Sequence, residues 1–110
     1  MRVILARVQV RDKKRTEFLK IMTETAKKTQ NLYGCEQFEI YQHLGDDLTF
    51  SLCGLWKSSN EFKAYLKSDE FSMVLLAFKL LRKSPEIRYF KNQINTGLEG
   101  LLQLRRLMTD

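Results

Sequence analysis

The hydrophobic positions of this chain change their period along the sequence, and the changes divide it into strands and helices. Residues 2–11 alternate with a period of two, as in a β-strand, and both faces of that strand carry apolar side chains. Residues 13–30 repeat their apolar positions at helical spacing. We expect Asp12 to cap this helix and Gly34, which tolerates a positive φ, to close the segment after it.

The remainder of the chain repeats these two periods. Residues 35–43 and 48–57 read as two strands, and the turn residues 44–47 between them predict a hairpin. Ser58 or Ser59 is placed to cap the helical segments that follow. These segments are interrupted at Ser68-Asp69.

Proline and polar residues mark the last elements. Ser84-Pro85 predicts the end of the helical region, because a proline disfavours helical geometry in the residue before it. Residues 86–94 read as a fourth strand, and residues 95–97 as a turn. Residues 98–108 have a broad apolar arc, which predicts a final amphipathic helix that docks on its own domain or on a partner subunit.

The order β-α-β-β-α-β predicts an α+β fold of the ferredoxin-like type, with helices on one face of a four-stranded antiparallel sheet. A chain of 110 residues fits one domain. We assign residues 1–96 to this domain and residues 97–110 to the extra C-terminal helix. The sheet face without helices would carry Ile4 and Val8, or Val3 and Leu5, so we expect a homodimer packed sheet against sheet.

The composition of the chain argues against polyanion, membrane and metal partners. The formal charge of +6 is spread over helix ends and exposed faces, which favours a solvated surface over a polyanion-binding one. No apolar run is long enough to span a bilayer, and Arg7 and Gln9 interrupt the apolar start, so we expect a cytoplasmic protein with no membrane partner. Cys35 and Cys53 are expected to be reduced, and with one histidine we expect no metal site.

Two segments resemble a known family. "GCEQFEIYQ" and "TFSLCGLWKSSNEFKAYLKSDEF" are similar to the antibiotic biosynthesis monooxygenase domain of the dimeric α/β-barrel superfamily, in which a Gly-Cys pair opens the second strand and a Trp closes the third. The resemblance covers residues 2–94. It implies a dimeric α/β barrel with a pocket between the sheet and the helices of each subunit.

The resemblance also implies chemistry. Some relatives oxidise quinols or anthrones with O₂ and need no cofactor, because an electron-rich aromatic anion can itself reduce oxygen. Trp56 matches the family's tryptophan. Tyr65 and Glu70 stand where many members carry two helical histidines, and Leu52 and Phe62 replace the Asn and Tyr of the anthrone-oxidising members. The haem-degrading relatives need a helical histidine ligand that this chain lacks, so haem degradation is disfavoured.

The individual side chains leave alternatives open. Tyr65 could donate a hydrogen bond to a substrate oxygen or pack with its hydroxyl in solvent. His43 is the side chain suited by its ordinary pKa to act as a general base, although it lies beside the hairpin turn. Arg7 lies in an apolar strand, where it either pairs with Glu39 or faces the pocket and stabilises an oxyanion.

We therefore carry two hypotheses for function. The first is a cofactor-independent monooxygenase for a small aromatic or quinol-like molecule, with Tyr65, Arg7 and His43 as catalytic candidates. Its pocket would be lined by the following side chains: Trp56, Phe62, Leu52, Phe71 and Phe78. The second is a non-catalytic dimeric module that binds a small ligand. RNA binding, which uses the same topology, is disfavoured because the third strand "TFSLCGLW" has no basic residue and the first strand no aromatic one.

Overall fold

A computed structural model of the chain describes residues 1–91 and 97–108. Its elements, in chain order, are β1 (Arg2–Gln9), a 3-10 turn (Asp12–Lys14), α1 (Arg15–Gln30), β2 (Cys35–His43), β3 (Asp46–Trp56), α2 (Ser59–Leu66), α3 (Asp69–Phe78), β4 (Glu86–Lys91) and α4 (Leu98–Met108). The four strands form one antiparallel sheet in the order β2-β3-β1-β4. This confirms the ferredoxin-like α+β fold. The predicted strand residues 92–94 and turn residues 95–96 lie outside the described residues.

The start of α1 differs from the prediction. Asp12 makes no capping hydrogen bond, because it begins a 3-10 turn and the α-helix starts three residues later, at Arg15. The end of the segment is as predicted. Gly34 adopts φ +81°, and its carbonyl accepts a hydrogen bond from the N–H of Lys57 at 2.9 Å, which ties the loop to the end of β3.

The hairpin between β2 and β3 is tighter than the sequence indicated. Its turn contains only Leu44 and Gly45, with Gly45 at φ +86°, so Asp46 belongs to β3 and not to the turn. The carboxylate of Asp46 accepts hydrogen bonds from the Leu48 N–H at 3.0 Å and the Thr49 hydroxyl at 2.6 Å. These bonds lower the pKa of Asp46 and fix the first residues of the strand.

The break between α2 and α3 falls where Ser68 was expected to interrupt the helix. Its Oγ accepts a hydrogen bond from the Phe71 N–H at 3.2 Å, so it caps α3. Ser58, at the start of α2, has extended backbone angles, but its hydroxyl donates to the Glu61 carboxylate and not to the backbone.

One face of the sheet forms the core with the helices. The even-numbered residues of β1 and β3 point to this face, and the largest of them, Phe50 and Trp56, are at most 1% exposed. Phe18 and Met22 of α1 are fully buried against them. The predicted core stripe of α1 is thereby confirmed at these two positions.

The odd-numbered residues of β1 and β3 form the opposite face, which we call the open face. Along β1 it presents Val3, Leu5 and Arg7. Of the two registers that the sequence left open, the structure has the one that leaves Val3 and Leu5 on the uncovered side. Helix α4 contributes no buried residue, and Leu98, Leu101 and Leu107 are each more than 60% exposed. The packing of α4 on the domain or on a partner stays a prediction.

Candidate functional site

An apolar cavity of about 230 Å³ lies between the helix-covered face of the sheet and helices α2 and α3. The sheet contributes Ile4, Leu52 and Gly54 to its wall, and α3 contributes Phe71 and Phe78. Among the described residues, Tyr65 is the one side chain in the lining that carries a hydrogen-bonding group. The cavity therefore suits an apolar, flat molecule with few polar atoms.

The mouth of this cavity is formed by half-exposed residues. Leu75 of α3 is 48% exposed and Ile87 of β4 is 53% exposed, and both line the cavity. Strand β4 is an edge strand of the sheet, and all six of its residues are exposed. A ligand can therefore enter between α3 and β4 without displacing a buried side chain.

Trp56 places a buried hydrogen-bond donor beside the cavity. Its side chain is 0% exposed, and its indole Nε1 has no hydrogen-bond partner. A Cβ atom added to Gly54, which lines the cavity, would lie only 3.4 Å from this nitrogen. A buried donor without an acceptor costs about 1–3 kcal/mol, so a ligand oxygen that reached this nitrogen would remove that cost.

Tyr65 stands against the indole ring. The two rings stack with their centroids 4.5 Å apart and their planes 24° apart, and Phe71 packs its edge against Tyr65 at 5.3 Å. Burial is the main reason that the pKa of Tyr65 is raised far above its ordinary value. The phenol is therefore neutral at physiological pH, and it can donate a hydrogen bond but cannot serve as a base.

A second cavity, of about 380 Å³, lies on the other side of this aromatic pair. Trp56 and Tyr65 form its inner wall, and polar side chains from α2, Asn60 and Glu61, form its rim together with Tyr33. Trp56 therefore lines this second cavity, and Tyr65 lines both cavities.

The five predicted pocket residues lie in three places. Leu52, Phe71 and Phe78 line the apolar cavity, and Trp56 lines the second cavity. Phe62 does not line either cavity and instead stacks on Tyr89 of β4, with ring centroids 5.0 Å apart. Its role is to hold α2 against the edge strand.

Arg7 and His43 lie on the other side of the sheet from the apolar cavity. Arg7 is on the open face, opposite Ser51 and Glu86, and His43 accepts or donates a hydrogen bond at 2.9 Å with Ser51 Oγ. The expectation that Arg7 pairs with Glu39 is wrong, because Glu39 stands opposite Cys53. Since the sheet separates both side chains from Trp56 and Tyr65, neither can act on a molecule in this cavity from its own subunit.

Sequence reasoning missed several residues of the site. Gly54, Val74, Leu75 and Ile87 all line the cavity. The alternation of β3 placed Gly54 on the same face as Leu52 and Trp56, and that shared face was the signal for its position. The half-exposure of Leu75 and Ile87 depends on the uncovered edge strand and has no signal in the local sequence.

The cysteines and the acidic residues give no sign of a metal centre in the described part of the chain. Cys35 and Cys53 are both free thiols. Cys35 pairs with Trp56 and packs against the core, whereas Cys53 is on the open face, so the sheet separates them. Within residues 1–91 and 97–108, His, Cys, Asp and Glu side chains do not form a group of three that could hold a metal ion.

In the same described ranges, the helices are all too short or too polar to cross a lipid bilayer. The longest of them, α1, has 16 residues.

Comparison with protein families gives one match. The family model described as antibiotic biosynthesis monooxygenase matches residues 1–74, which is more than half of the 110 residues. The matched region contains β1 to β3, α2 and part of α3, and therefore includes both Trp56 and Tyr65. No curated protein matches the chain.

Solved structures share the fold at low sequence identity. A conserved protein from Methanosarcina mazei is 24% identical, with a TM-score of 0.77, over 84% of this chain and 92% of the other. A Mycobacterium tuberculosis protein is 14% identical, with a TM-score of 0.78, over 87% of this chain and 98% of the other. A variant of SnoaB, a cofactor-independent oxygenase from Streptomyces nogalater, is 15% identical, with a TM-score of 0.72, over 86% of this chain and 94% of the other.

Proposed function

Because the chain belongs to the antibiotic biosynthesis monooxygenase family, we propose that it oxidises a small aromatic or quinol-like molecule with O₂ in the apolar cavity. Membership of this family supports a monooxygenase activity, and the substrate class follows from the family resemblance together with the shape of the cavity. Its size, about 230 Å³, and its almost wholly apolar wall match a small planar ring system.

The observation that carries this proposal is the unpartnered indole N–H of Trp56 beside Gly54. A phenolic or quinol oxygen that reached this N–H would accept a hydrogen bond from Trp56, and the neutral hydroxyl of Tyr65, which lines the cavity, offers a second donor. Two donors in an apolar site stabilise negative charge on such an oxygen more strongly than water-exposed donors would. The site therefore favours the deprotonated form of the substrate.

The deprotonated substrate supplies the electrons for the reaction. In an anthrone-like substrate, loss of a proton from the activated CH₂ group leaves a carbanion delocalised onto the ring oxygen. One electron passes to O₂, the substrate radical and superoxide combine to form a C–O bond, and the resulting peroxide takes up a proton. The O–O bond then breaks with loss of water, so that CH₂ and O₂ give C=O and H₂O without a further reductant.

The chain's own residues would bind, orient and shield this substrate. Among the described residues, the lining offers no carboxylate, imidazole or amine as a base. We therefore expect the proton to leave to solvent through the mouth between Leu75 and Ile87. The pH profile of turnover should then follow the pKa of each substrate and shift when the substrate is changed.

We also propose that the working form is a homodimer. The open face presents Val3, Leu5, Leu55 and Phe90 side by side, and Leu5 and Phe90 are 38% and 37% exposed. Covering this face with a second copy would bury these apolar groups, as expected for an apolar patch of this kind.

A second candidate function is a non-catalytic module that binds a small ligand. The lining supports it, because Leu52 and Phe78 offer no chemistry and the family's polar Asn position is held by Leu52. In this case the unpartnered Trp56 N–H would hold the ligand without promoting its oxidation.

Oxygen uptake and fluorescence together separate the two functions. Purified protein treated with a chelator would be tested in an oxygen electrode with a panel of hydroquinones and anthrones. Trp56 is the one tryptophan of the chain, so its fluorescence reports ligand binding in the same samples. The proposal predicts binding with uptake of one O₂ per product formed, whereas binding without uptake would support the ligand-binding module and overturn the oxygenase.

A further inference from the structure

The open face of the sheet is a grid in which each row runs across all four strands. The register places Glu39 of β2, Cys53 of β3, Leu5 of β1 and Arg88 of β4 in one row. An acidic side chain therefore stands at one edge of the face and a basic side chain at the other, with two uncharged residues between them.

Glu39 and Arg88 cannot pair with each other within one chain. Strands β2 and β4 are three strand spacings apart, which is about 14 Å. Glu39 accepts a hydrogen bond from the Tyr41 hydroxyl, which holds its carboxylate on the open face. In residues 1–91 and 97–108 the ion pairs are Lys14–Glu17 and Lys83–Glu86, so neither Glu39 nor Arg88 has an ion-pair partner there.

A two-fold axis can lay this face on its own copy in two simple ways. If the axis runs parallel to the strands, each row meets the same row of the partner with the strand order reversed, so β2 lies over β4 of the partner. If the axis runs across the strands at this row, each strand meets its own copy. Because such an interface is self-complementary, every contact occurs twice.

The charges distinguish between these two arrangements. With the axis parallel to the strands, Glu39 meets Arg88 of the partner subunit at both edges of the interface. With the axis across the strands, Glu39 meets Glu39 of the partner subunit and Arg88 meets Arg88 of the partner subunit. Like charges placed opposite each other destabilise a pairing, and opposite charges stabilise it.

The neighbouring rows fit the first arrangement. The row above would place Leu55 over Val3 of the partner subunit, and the row below would place Ser51 over Arg7 of the partner subunit. In the row above, apolar residues therefore meet apolar residues, whereas an axis across the strands would place Val3 over Arg7 of the partner subunit.

We propose that the homodimer has its two-fold axis parallel to the strands and that Glu39 of each subunit forms an ion pair with Arg88 of the partner subunit. This inference rests on the proposed homodimer and adds its orientation. It does not depend on the reaction, because the pair lies on the face opposite the apolar cavity.

Exchanging the charges of Glu39 and Arg88 tests the proposed ion pair. Analytical ultracentrifugation would compare the wild-type chain with Glu39→Arg, Arg88→Glu and the double variant that carries both. Each single variant places two like-charged pairs in the interface and should raise the dimer dissociation constant by on the order of 100-fold or more. The double variant restores opposite charges and should recover most of that loss.

Glu24→Arg, an exposed position on α1, is the control, since it changes the charge of the chain as Glu39→Arg does. It should leave the dissociation constant at the wild-type value. Single variants that dimerise like the wild type, or a double variant that stays as weak as the single ones, would overturn the proposed pair and axis. A monomeric wild type would overturn the homodimer itself, while oxygen uptake by that monomer would leave the oxygenase standing.

Discussion

At the scale of single residues, the donor of Trp56 and the hydroxyl of Tyr65 determine what the cavity can bind. Both side chains are at most 3% exposed, and they stack on each other. The indole N–H has no partner, and the phenol is held in its neutral form. Together they form a small donor site at the edge of an otherwise apolar space.

Trp56→Phe removes the indole N–H and keeps an aromatic ring in the stack. If this donor holds the negative oxygen of the reacting substrate, turnover should fall on the order of 100-fold, as when one oxyanion donor is removed from an active site. Oxygen-electrode rates would measure this, with thermal unfolding of the same samples to verify the fold. A variant that unfolds like the wild type and still turns over at the wild-type rate would contradict the role of this N–H.

Tyr65 should make the protein less stable at alkaline pH. Burial raises its pKa above the value near 10 of an exposed tyrosine. Above pH 10 the unfolded chain loses this proton and the folded chain keeps it, so the free energy of unfolding falls by about 1.4 kcal/mol per pH unit for this group. Below pH 10 both states keep the proton and the term is constant.

Urea unfolding of Tyr65→Phe between pH 9 and pH 11 measures this term. The variant should lose stability less steeply above pH 10 than the wild type does. Tyr33→Phe, at a position that is 82% exposed, is the control and should keep the wild-type slope. If the free energy of unfolding fell equally steeply with pH in all three proteins, Tyr65 would lose its proton in the folded state as readily as in the unfolded one, which would contradict the raised pKa.

Part of this site could be predicted from the sequence. Trp56, Tyr65 and Leu52 were identified by the family resemblance and by the alternation of β3. The face that Arg7 occupies could not be predicted, because both faces of β1 carry apolar residues and only the packing of the helices distinguishes them. The covered face has Ile4, Ala6 and Val8, and Arg7 is therefore directed away from the cavity.

At the scale of elements, two glycines with positive φ close the turns that precede β2 and β3. Gly34 and Gly45 have φ values of +81° and +86°. They differ in their surroundings, since a Cβ at Gly34 would lie 2.1 Å from Glu61 Cγ and 2.5 Å from its Cβ, whereas a Cβ at Gly45 would have open space within 4 Å. The Gly34 loop is thus packed against α2, and the hairpin turn is not.

This difference predicts unequal effects of two matched substitutions. Gly45→Ala should lower the free energy of unfolding by about 1–2 kcal/mol, which is the cost of a left-handed backbone for alanine. Gly34→Ala should cost more, because α2 must also move away from the loop. Urea unfolding measures both, and equal losses would contradict the close packing of Gly34 on Glu61.

The elements themselves were largely predictable, and their ends were less so. The change from period two to helical period identified each strand and helix. The 3-10 turn at Asp12–Lys14 and the two-residue turn at Leu44–Gly45 were not predicted. The 3-10 turn is closed by the hydrogen bond from the Lys14 N–H to the Arg11 carbonyl at 2.9 Å, and the hairpin turn by the pairing of His43 with Asp46. Such ends differ by one or two residues between turn geometries that the same residue types allow.

At the scale of the whole molecule, the two cysteines report which face of the sheet is covered. Cys35 lies on the helix side and Cys53 on the open face, and burial raises the pKa of both thiols. In a dimer formed through the open face, Cys53 should react with a maleimide more slowly than it does in the monomer. Dilution to the monomer should therefore speed the labelling of Cys53 and leave that of Cys35 unchanged.

Mass spectrometry of the labelled protein at two protein concentrations measures both rates in one sample. Cys35 is the internal control, because its surroundings within the subunit do not change on dimerisation. Equal labelling of Cys53 at both concentrations, with the dimer present at the higher one, would place the interface on another surface.

The fold and the uncovered sheet face could be predicted from the order of elements, because that order leaves one side of the sheet without helices. The cavity mouth could not be predicted, since the half-exposure of Leu75 and Ile87 depends on how α3 packs beside the edge strand. Substitutions at this mouth therefore test the proposed activity most directly.

The most direct test is oxygen uptake by Leu75→Trp compared with Leu76→Trp, using whichever quinol or anthrone the wild type oxidises. The two leucines are adjacent and 48% and 46% exposed, but only Leu75 lines the cavity. We predict that Leu75→Trp fills the mouth and loses turnover, while Leu76→Trp keeps the wild-type rate. Equal rates in the two variants would contradict the assignment of the reaction to this cavity.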